Sequence, residues 1–159
     1  MTGQIEDKLA ADGIVLPDVI VLPGKNRRSA VQVGQILYMS GHGSALLADT
    51  GIKRIGRVGD DVTLAEAREV ARAVAISMLA TIKHHVGDLD RIKKVVKITG
   101  MINAVPDFEH HNKVLDGASD FFFELFGHEI GQHARSSMGV GGLVARQSVE
   151  IEGIFLIKN

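Results

Sequence analysis

The 159-residue chain has no cysteine, no tryptophan, one tyrosine and three prolines. Without cysteine it has no disulfide framework, no catalytic thiol and no Cys-ligated zinc. The zinc-dependent nucleobase deaminases, whose metal needs cysteines, are excluded with them. Aromatic residues make up only 4%, which leaves few platforms for stacking bases. An excess of either charge is missing too. Lys+Arg number 18 against 19 Asp+Glu, a net charge of −1, so nothing draws a polyanion from a distance. No apolar run approaches the ~18 residues of a membrane span, and there are no Asn-x-Ser/Thr sequons or low-complexity tracts. The segment Met1–Asp12 is polar and reads as a short helix carrying Ile5, Leu9 and Ala10, not as a secretion signal. The expectation is a soluble, cytoplasmic protein with neither a membrane nor a nucleic acid as partner.

The apolar fraction of 45% suffices for one core, and the length fits one domain. We assign 1–159 as a single domain, with 1–29 as an N-terminal extension and loop. Val19–Leu22 is a short apolar run ending at Pro23-Gly24, and Lys25–Ser29 reads as a basic loop. Gly34-Gln35 between Ala30–Val33 and Ile36–Ser40 signals a hairpin. Asp49-Thr50-Gly51 is a second turn, followed by a candidate strand over Lys53–Val58. Thr63 with Glu66 three residues on forms a capping-box pattern. After it Leu64, Ala67, Val70, Ala71, Val74, Met78, Leu79 and Ile82 make one helical stripe that ends near Gly87. Arg91–Ile102 is the next strand, with Ile92, Val96, Ile98 and Ile102 on one parity. A second helix runs from Pro106-Asp107 to about Phe126 and buries Val114, Leu115, Ala118, Phe122 and Leu125. Gly127–Gln132 reads as a loop, and strands follow over His133–Val140 and Ser148–Ile157. This order predicts an α/β fold, a mixed sheet with two main helices on one face.

Alternation along a strand sorts the last two by face. Val149, Ile151, Phe155 and Ile157 are expected under the helices, leaving Glu150, Glu152, Ile154 and Leu156 on the other face. In the preceding strand the more apolar set, Ala134, Ser136, Met138 and Val140, is expected under the helices. Arg135 then joins Glu150 on the uncovered side. A sheet face carrying Ile154 and Leu156 calls for a cover, and a second copy of the chain is the economical one. This predicts a homo-oligomer with a charged cleft between subunits.

Several patterns carry no chemistry on inspection. His128 and His133 are five apart with a glycine between, not the four that one helical face needs to chelate a metal. His84-His85 and His110-His111 diverge by about 100° on a helix and read as solvated faces. Gly139-Val140-Gly141-Gly142 lacks the dinucleotide spacing and reads as a place of close approach. Ser40-Gly41-His42 has no nucleophile-elbow context, and Tyr38 is expected in the core. What remains is Arg135, whose fork suits a carboxylate, and Glu150. A cross-strand ion pair of Arg135 with Glu150 or Glu152 is the bland alternative.

His133-Ala134-Arg135-Ser136-Ser137, followed by Ser148-Val149-Glu150-Ile151-Glu152-Gly153-Ile154, resembles the C-terminal signature of the YjgF/RidA family. There an ARS motif precedes VEIE by the same spacing. Val33–Gly41 is similar to that family's first strand pair, Val95-Val96-Lys97-Ile98 to its VVK strand, and Asp107-Phe108 to the start of its second helix. The match runs in order from about Val31 to the C-terminus. The Gly117–Asp120 and Phe126-Gly127 stretch is more like a longer subgroup.

The resemblance implies a chorismate-mutase-like fold and a homotrimer with sites between subunits. It also implies hydrolysis of 2-aminoacrylate-type enamines and imines to 2-oxo acids and ammonia. On that reading Arg135 holds the substrate carboxylate and Glu150 positions or activates the attacking water. Groups near Ser137 and Gly41 shape the pocket, and no metal or cofactor takes part. The chain departs from the pattern where Arg27 or Arg28 stands for a loop tyrosine, Ser137 for a cysteine and Leu143-Val144 for leucine-proline. Either Asn112 or Asp116 matches the second-helix asparagine. Two other classes stay in view: a non-catalytic sensor for a small carboxylate, and a ribonuclease or translation inhibitor, against which the −1 charge argues.

Overall fold

The computed structural model describes residues 3–19, 26–47 and 51–158. The expected run at Val19–Leu22 with Pro23-Gly24 and the turn at Asp49-Thr50-Gly51 therefore fall largely outside the described residues. Helix α1 spans Gln4–Ala11 and buries Leu9. Both carboxylate oxygens of Asp90 accept hydrogen bonds from its first backbone amides, Gln4 N at 2.8 Å and Ile5 N at 2.9 Å. A distant aspartate thus satisfies donors that the first turn leaves orphaned.

Strands β1 (Ala30–Val33) and β2 (Ile36–Gly43) form the expected hairpin. Val33 pairs with Ile36, and Gly34 supplies the positive φ of 59° that the two-residue turn needs. No strand forms over Lys53–Val58. Single bridges from Ile55 and Val58 replace it. Helix α2 (Leu64–Val86) starts at the capping box of Thr63 and Glu66, and Gly87 closes it with φ 86°. Its stripe packs Val70, Val74, Met78 and Ile82 into the core. Burying an aliphatic side chain of that size stabilises the fold by about 1.5–3 kcal/mol.

Strand β3 (Ile92–Asn103) is an interior strand of the sheet. Irregularities at Ile92/Lys94 and Val95/Lys97 shift its parity. Val95 is therefore buried and Val96 is 37% exposed, which reverses the expected facing of Val96. Helix α3 (His111–Gly131) begins five residues later than Pro106 and bends at Gly127 (φ 73°). Helical structure resumes beyond the bend, so the segment expected as a loop is the last turn of α3. Strands β4 (Ala134–Val140) and β5 (Val149–Ile157) complete a five-stranded sheet of order β1-β2-β5-β3-β4. Among the described strands only β3 and β4 pair in parallel, which makes the sheet mixed.

The two main helices cover one face. Val149, Ile151, Phe155 and Ile157 lie beneath them, fully buried, as expected. The other face is open and carries Val31 and Tyr38, 48% and 47% exposed, with Met138 at 43%. Tyr38 is not in the core because its neighbours Leu37 and Met39 take the helix side of β2. No helix among the described residues is long and apolar enough to cross a membrane.

Candidate functional site

Glu150 is the second residue of β5 and lies on its open face, opposite Met101 of β3 and Gly43 of β2. Strand β2 reaches it through a bulge. Met39 pairs with Gly153 and His42 with Ile151, so Ser40-Gly41 together oppose Glu152. An extra residue re-aims the side chains that follow it. His42 consequently turns to the helix side. There its Nδ1–H donates to Ser40 O and its Nε2 accepts from Thr81 Oγ1, both at 2.8 Å. Burial holds the His42 imidazole below its ordinary value, against the Ser40 carbonyl, which raises it. Ser40 turns elsewhere and donates to Arg28 O at 2.7 Å. The serine and histidine of Ser40-Gly41-His42 thus point apart.

Gly41 faces Glu150. A Cβ built on it would lie 1.9 Å from Glu150 Oε1, so the carboxylate rests directly on the backbone of the bulge. The other oxygen, Oε2, accepts a 2.5 Å hydrogen bond from Gln147 Nε2. The amide of Gln147 is oriented in turn, because its Oε1 accepts from Ala45 N at 3.3 Å. Gln147 is 5% exposed and runs so close over Gly43 that a Cβ there would lie 1.9 Å from its Oε1. Two glycines and one buried amide therefore fix where Glu150 stands. Ser44 anchors the same corner, its Oγ accepting from Ser148 N at 3.0 Å and donating to Arg54 O at 2.7 Å. Gln147 and Ser44 were absent from the sequence reading. The signal that points to Gln147 is a long polar side chain just before an alternating apolar strand.

Arg135 is elsewhere. Strand β3 lies between β4 and β5, so the last two strands are not neighbours. Arg135 pairs with buried Ile98, and Ser137 with Gly100, which packs against Leu115 of α3. Both therefore face the helix side, and Ala134, Ser136 and Met138 face the open side. This inverts the expected facing of β4. An edge strand reaches past the apolar centre of the helix layer to its polar margin, so its covered face takes the polar set. Arg135 Nη1 contacts Asp116 Oδ1 at 2.7 Å and donates to Ser119 Oγ at 3.0 Å. Of the two residues that match the second-helix asparagine, Asp116 meets Arg135 and Asn112 is exposed on the first turn of α3.

Two strand spacings and three residue rises separate Arg135 from Glu150, about 14 Å between Cα atoms, on opposite faces of the sheet. The four candidate residues thus form two pairs. Glu150 and Gly41 meet on the open side, and Arg135 and Ser137 share the covered margin of β4. No cross-strand ion pair links Arg135 to Glu150 or Glu152 within the chain; Arg135 pairs with Asp116 instead. On the open face between these corners, a groove of about 370 Å³ runs past Tyr38, Lys97, Thr99 and Glu152. The acidic trio Glu6, Asp88 and Asp90 gathers at the start of α1, whose first amides Asp90 caps.

The pattern described as "YjgF/chorismate_mutase-like, putative endoribonuclease" matches residues 6–148. Protein TCP17 of Trypanosoma cruzi is 34% identical over 158 residues, 99% of this chain and 97% of that one. Among solved structures, the protein Atu1372 of Agrobacterium tumefaciens, of unknown function, has a TM-score of 0.85 at 34% identity and covers 97% of this chain and 94% of its own. A "putative endoribonuclease" of Shewanella oneidensis has a TM-score of 0.88 at 29% identity, over 98% and 100% of the two chains.

Proposed function

Because the chain belongs to the YjgF/chorismate-mutase-like family, we propose that it hydrolyses 2-aminoacrylate-type enamines and imines to 2-oxo acids and ammonia. The observation that carries this reading is the Glu150 cradle. A carboxylate resting on Gly41 and held by Gln147 is positioned as a general base toward the open face. It takes a proton from water as the water oxygen bonds to the imine carbon. Glu150 passes that proton to the imine nitrogen, giving the carbinolamine, and the hydroxyl proton then follows to the nitrogen as the C–N bond breaks, so that ammonia leaves and the 2-oxo acid remains. Every atom comes from substrate and water, with no metal or cofactor in the balance.

The substrate carboxylate falls to Arg135. Its described contacts with Asp116 and Ser119 use one of its three nitrogens, and a guanidinium has donors on the other two. Since Arg135 and Glu150 lie about 14 Å apart on opposite faces, one small substrate meets both only if they come from different subunits. We therefore place the site between copies of a homotrimer. The exposed Val31, Tyr38 and Met138 supply apolar surface for a partner to cover. In that assembly the cleft is closed by Arg135 and Ser137 of one copy and by Glu150 and Gly41 of its neighbour.

The direct test generates 2-aminoacrylate from serine with a dehydratase and follows pyruvate release. Acceleration over the spontaneous rate, lost in Arg135→Ala and Glu150→Gln, is expected. No acceleration refutes the reading. If Arg135→Ala abolishes thermal stabilisation by small carboxylates while no turnover is seen, the protein is a binding module using the same cleft. The similarity to the Shewanella protein described as a "putative endoribonuclease" favours a ribonuclease as the remaining alternative. RNA cleavage by a highly purified sample, lost in Glu150→Gln, would establish that instead.

A further inference from the structure

Asp116 and Ser119 are three residues apart on α3 and share a helix face. His133, immediately before β4, and Arg135, the second residue of β4, are two apart in extended chain and lie on one side of it. The two pairs meet across a cavity of about 280 Å³, also lined by Phe123 and Gln132. The hydrogen-bond directions follow from donor inventory. His133 Nδ1 lies 2.6 Å from Gly131 O, and a carbonyl only accepts, so Nδ1 carries the proton. The neutral ring then has a bare Nε2, 3.1 Å from Ser119 Oγ. The hydroxyl must donate into it. On its other side the same oxygen accepts from Arg135 Nη1 at 3.0 Å. A serine whose proton is committed to an imidazole, itself oriented by a third group, is the arrangement of an activated nucleophile.

We infer that Ser119 is a nucleophile and His133 its general base, in a site that takes small uncharged acyl esters. This goes beyond imine hydrolysis and does not use Glu150. Asp116 matches the charge of Arg135 at the one nitrogen that also reaches Ser119, so this side of the guanidinium suits an uncharged acyl group while, among the described residues, its other nitrogens stay free, and the cavity admits a group of a few carbons. The charged groups around the imidazole are Arg135 on the adjoining strand β4 and Lys94 on β3, with Asp116 and Asp120 of α3 lining the same cavity. Burial keeps His133 below its ordinary value, Arg135 and Lys94 lower it further, and the Gly131 carbonyl works against them. Near neutral pH the ring is therefore a free base.

In the reaction Ser119 Oγ bonds to the acyl carbon as its proton passes to His133 Nε2. Arg135 stands beside the oxygen where negative charge develops. Collapse breaks the carbon–oxygen bond to the alcohol, which leaves with the proton from Nε2. Water then repeats the sequence on the acyl-serine and frees the acid.

The test treats the intact protein with an alkyl fluorophosphonate and locates the adduct by peptide mass. The expected adduct is on Ser119, formed about 100-fold more slowly in His133→Gln. No adduct there, or an undiminished rate in that variant, overturns the inference. Ser119→Cys provides a second arm, because the chain has no other cysteine and the introduced thiol is unique. Beside His133 and Arg135 it should alkylate at pH 6.5 faster than an ordinary thiol with a pKa of about 8.5. Alkylation with an ordinary thiol profile would overturn the dyad even if the phosphonate reacts.

Discussion

A methyl group at position 41 would separate the base from the fold. The new Cβ would lie 1.9 Å from Glu150 Oε1 and 2.8 Å from its Cδ, where ordinary contact begins at 3.4 Å. The carboxyl end must withdraw by about 1.5 Å to restore normal packing, which breaks the bond from Gln147. Because the obstructing atoms belong to the far end of a flexible side chain, the fold itself need not move. The stability cost is then bounded by one charge-assisted hydrogen bond, about 1.5–3 kcal/mol. Catalysis is far more sensitive, since a displacement of about 1 Å in a reacting group costs on the order of 100-fold. Gly41→Ala should therefore fold, with a modestly lower denaturation midpoint, and release pyruvate from 2-aminoacrylate about 100-fold more slowly. A variant with wild-type turnover would show that the position of Glu150 does not matter, and would sink the role given to it.

The remaining predictions concern the scaffold. Gly117 lets α3 approach α2 so closely that a Cβ there would lie 2.0 Å from the backbone carbonyl oxygen of Arg68. Gly117→Ala should destabilise by about 1–3 kcal/mol despite the better helix propensity of alanine, read as a urea midpoint. Thr63→Ala removes half of the capping box and should cost about 1 kcal/mol by the same measurement. His42 and His133 are both held below their ordinary value by burial, so the unfolded chain binds protons more readily than the folded one. Stability should then fall as pH drops through the unfolded value near ~6.5 toward the lower folded values. The urea midpoint is expected to be lower at pH 5.5 than at pH 7.5, with a smaller difference in His42→Gln. An unchanged difference in that variant contradicts the assignment.

The local features of this fold are written locally. The Thr63–Glu66 capping box, the α2 stripe, the Gly34-Gln35 hairpin and the facing of β5 all depend on residues a few positions apart, and all appear in the structure. Facing failed where it depends on strand order. Placing β3 between β4 and β5 leaves Arg135 beside α3, and nothing near Arg135 in the sequence records which strand is its neighbour. Two irregularities in β3 exchange Val95 for Val96, and no glycine or proline near them marks the shift. The Ser40-Gly41 bulge likewise turns a solvent-facing parity into the Thr81 contact of His42. Gln147 and the Ser119–His133 pair escaped notice because each acquires its chemistry from a contact made only on folding. The three-residue step from Asp116 to Ser119 and the two-residue step from His133 to Arg135 are the periodic signals that could have drawn attention to the second.

The central claim is that Arg135 of one subunit works with Glu150 of another. Arg135→Ala and Glu150→Gln subunits, each inactive alone, can be unfolded together, mixed in equal amounts and refolded into mixed oligomers. A site between subunits then receives both intact residues in about a quarter of cases. Pyruvate release should recover to about a quarter of the wild-type rate. Mixed oligomers that remain as inactive as their parents would contradict a shared site and return both residues to a single subunit.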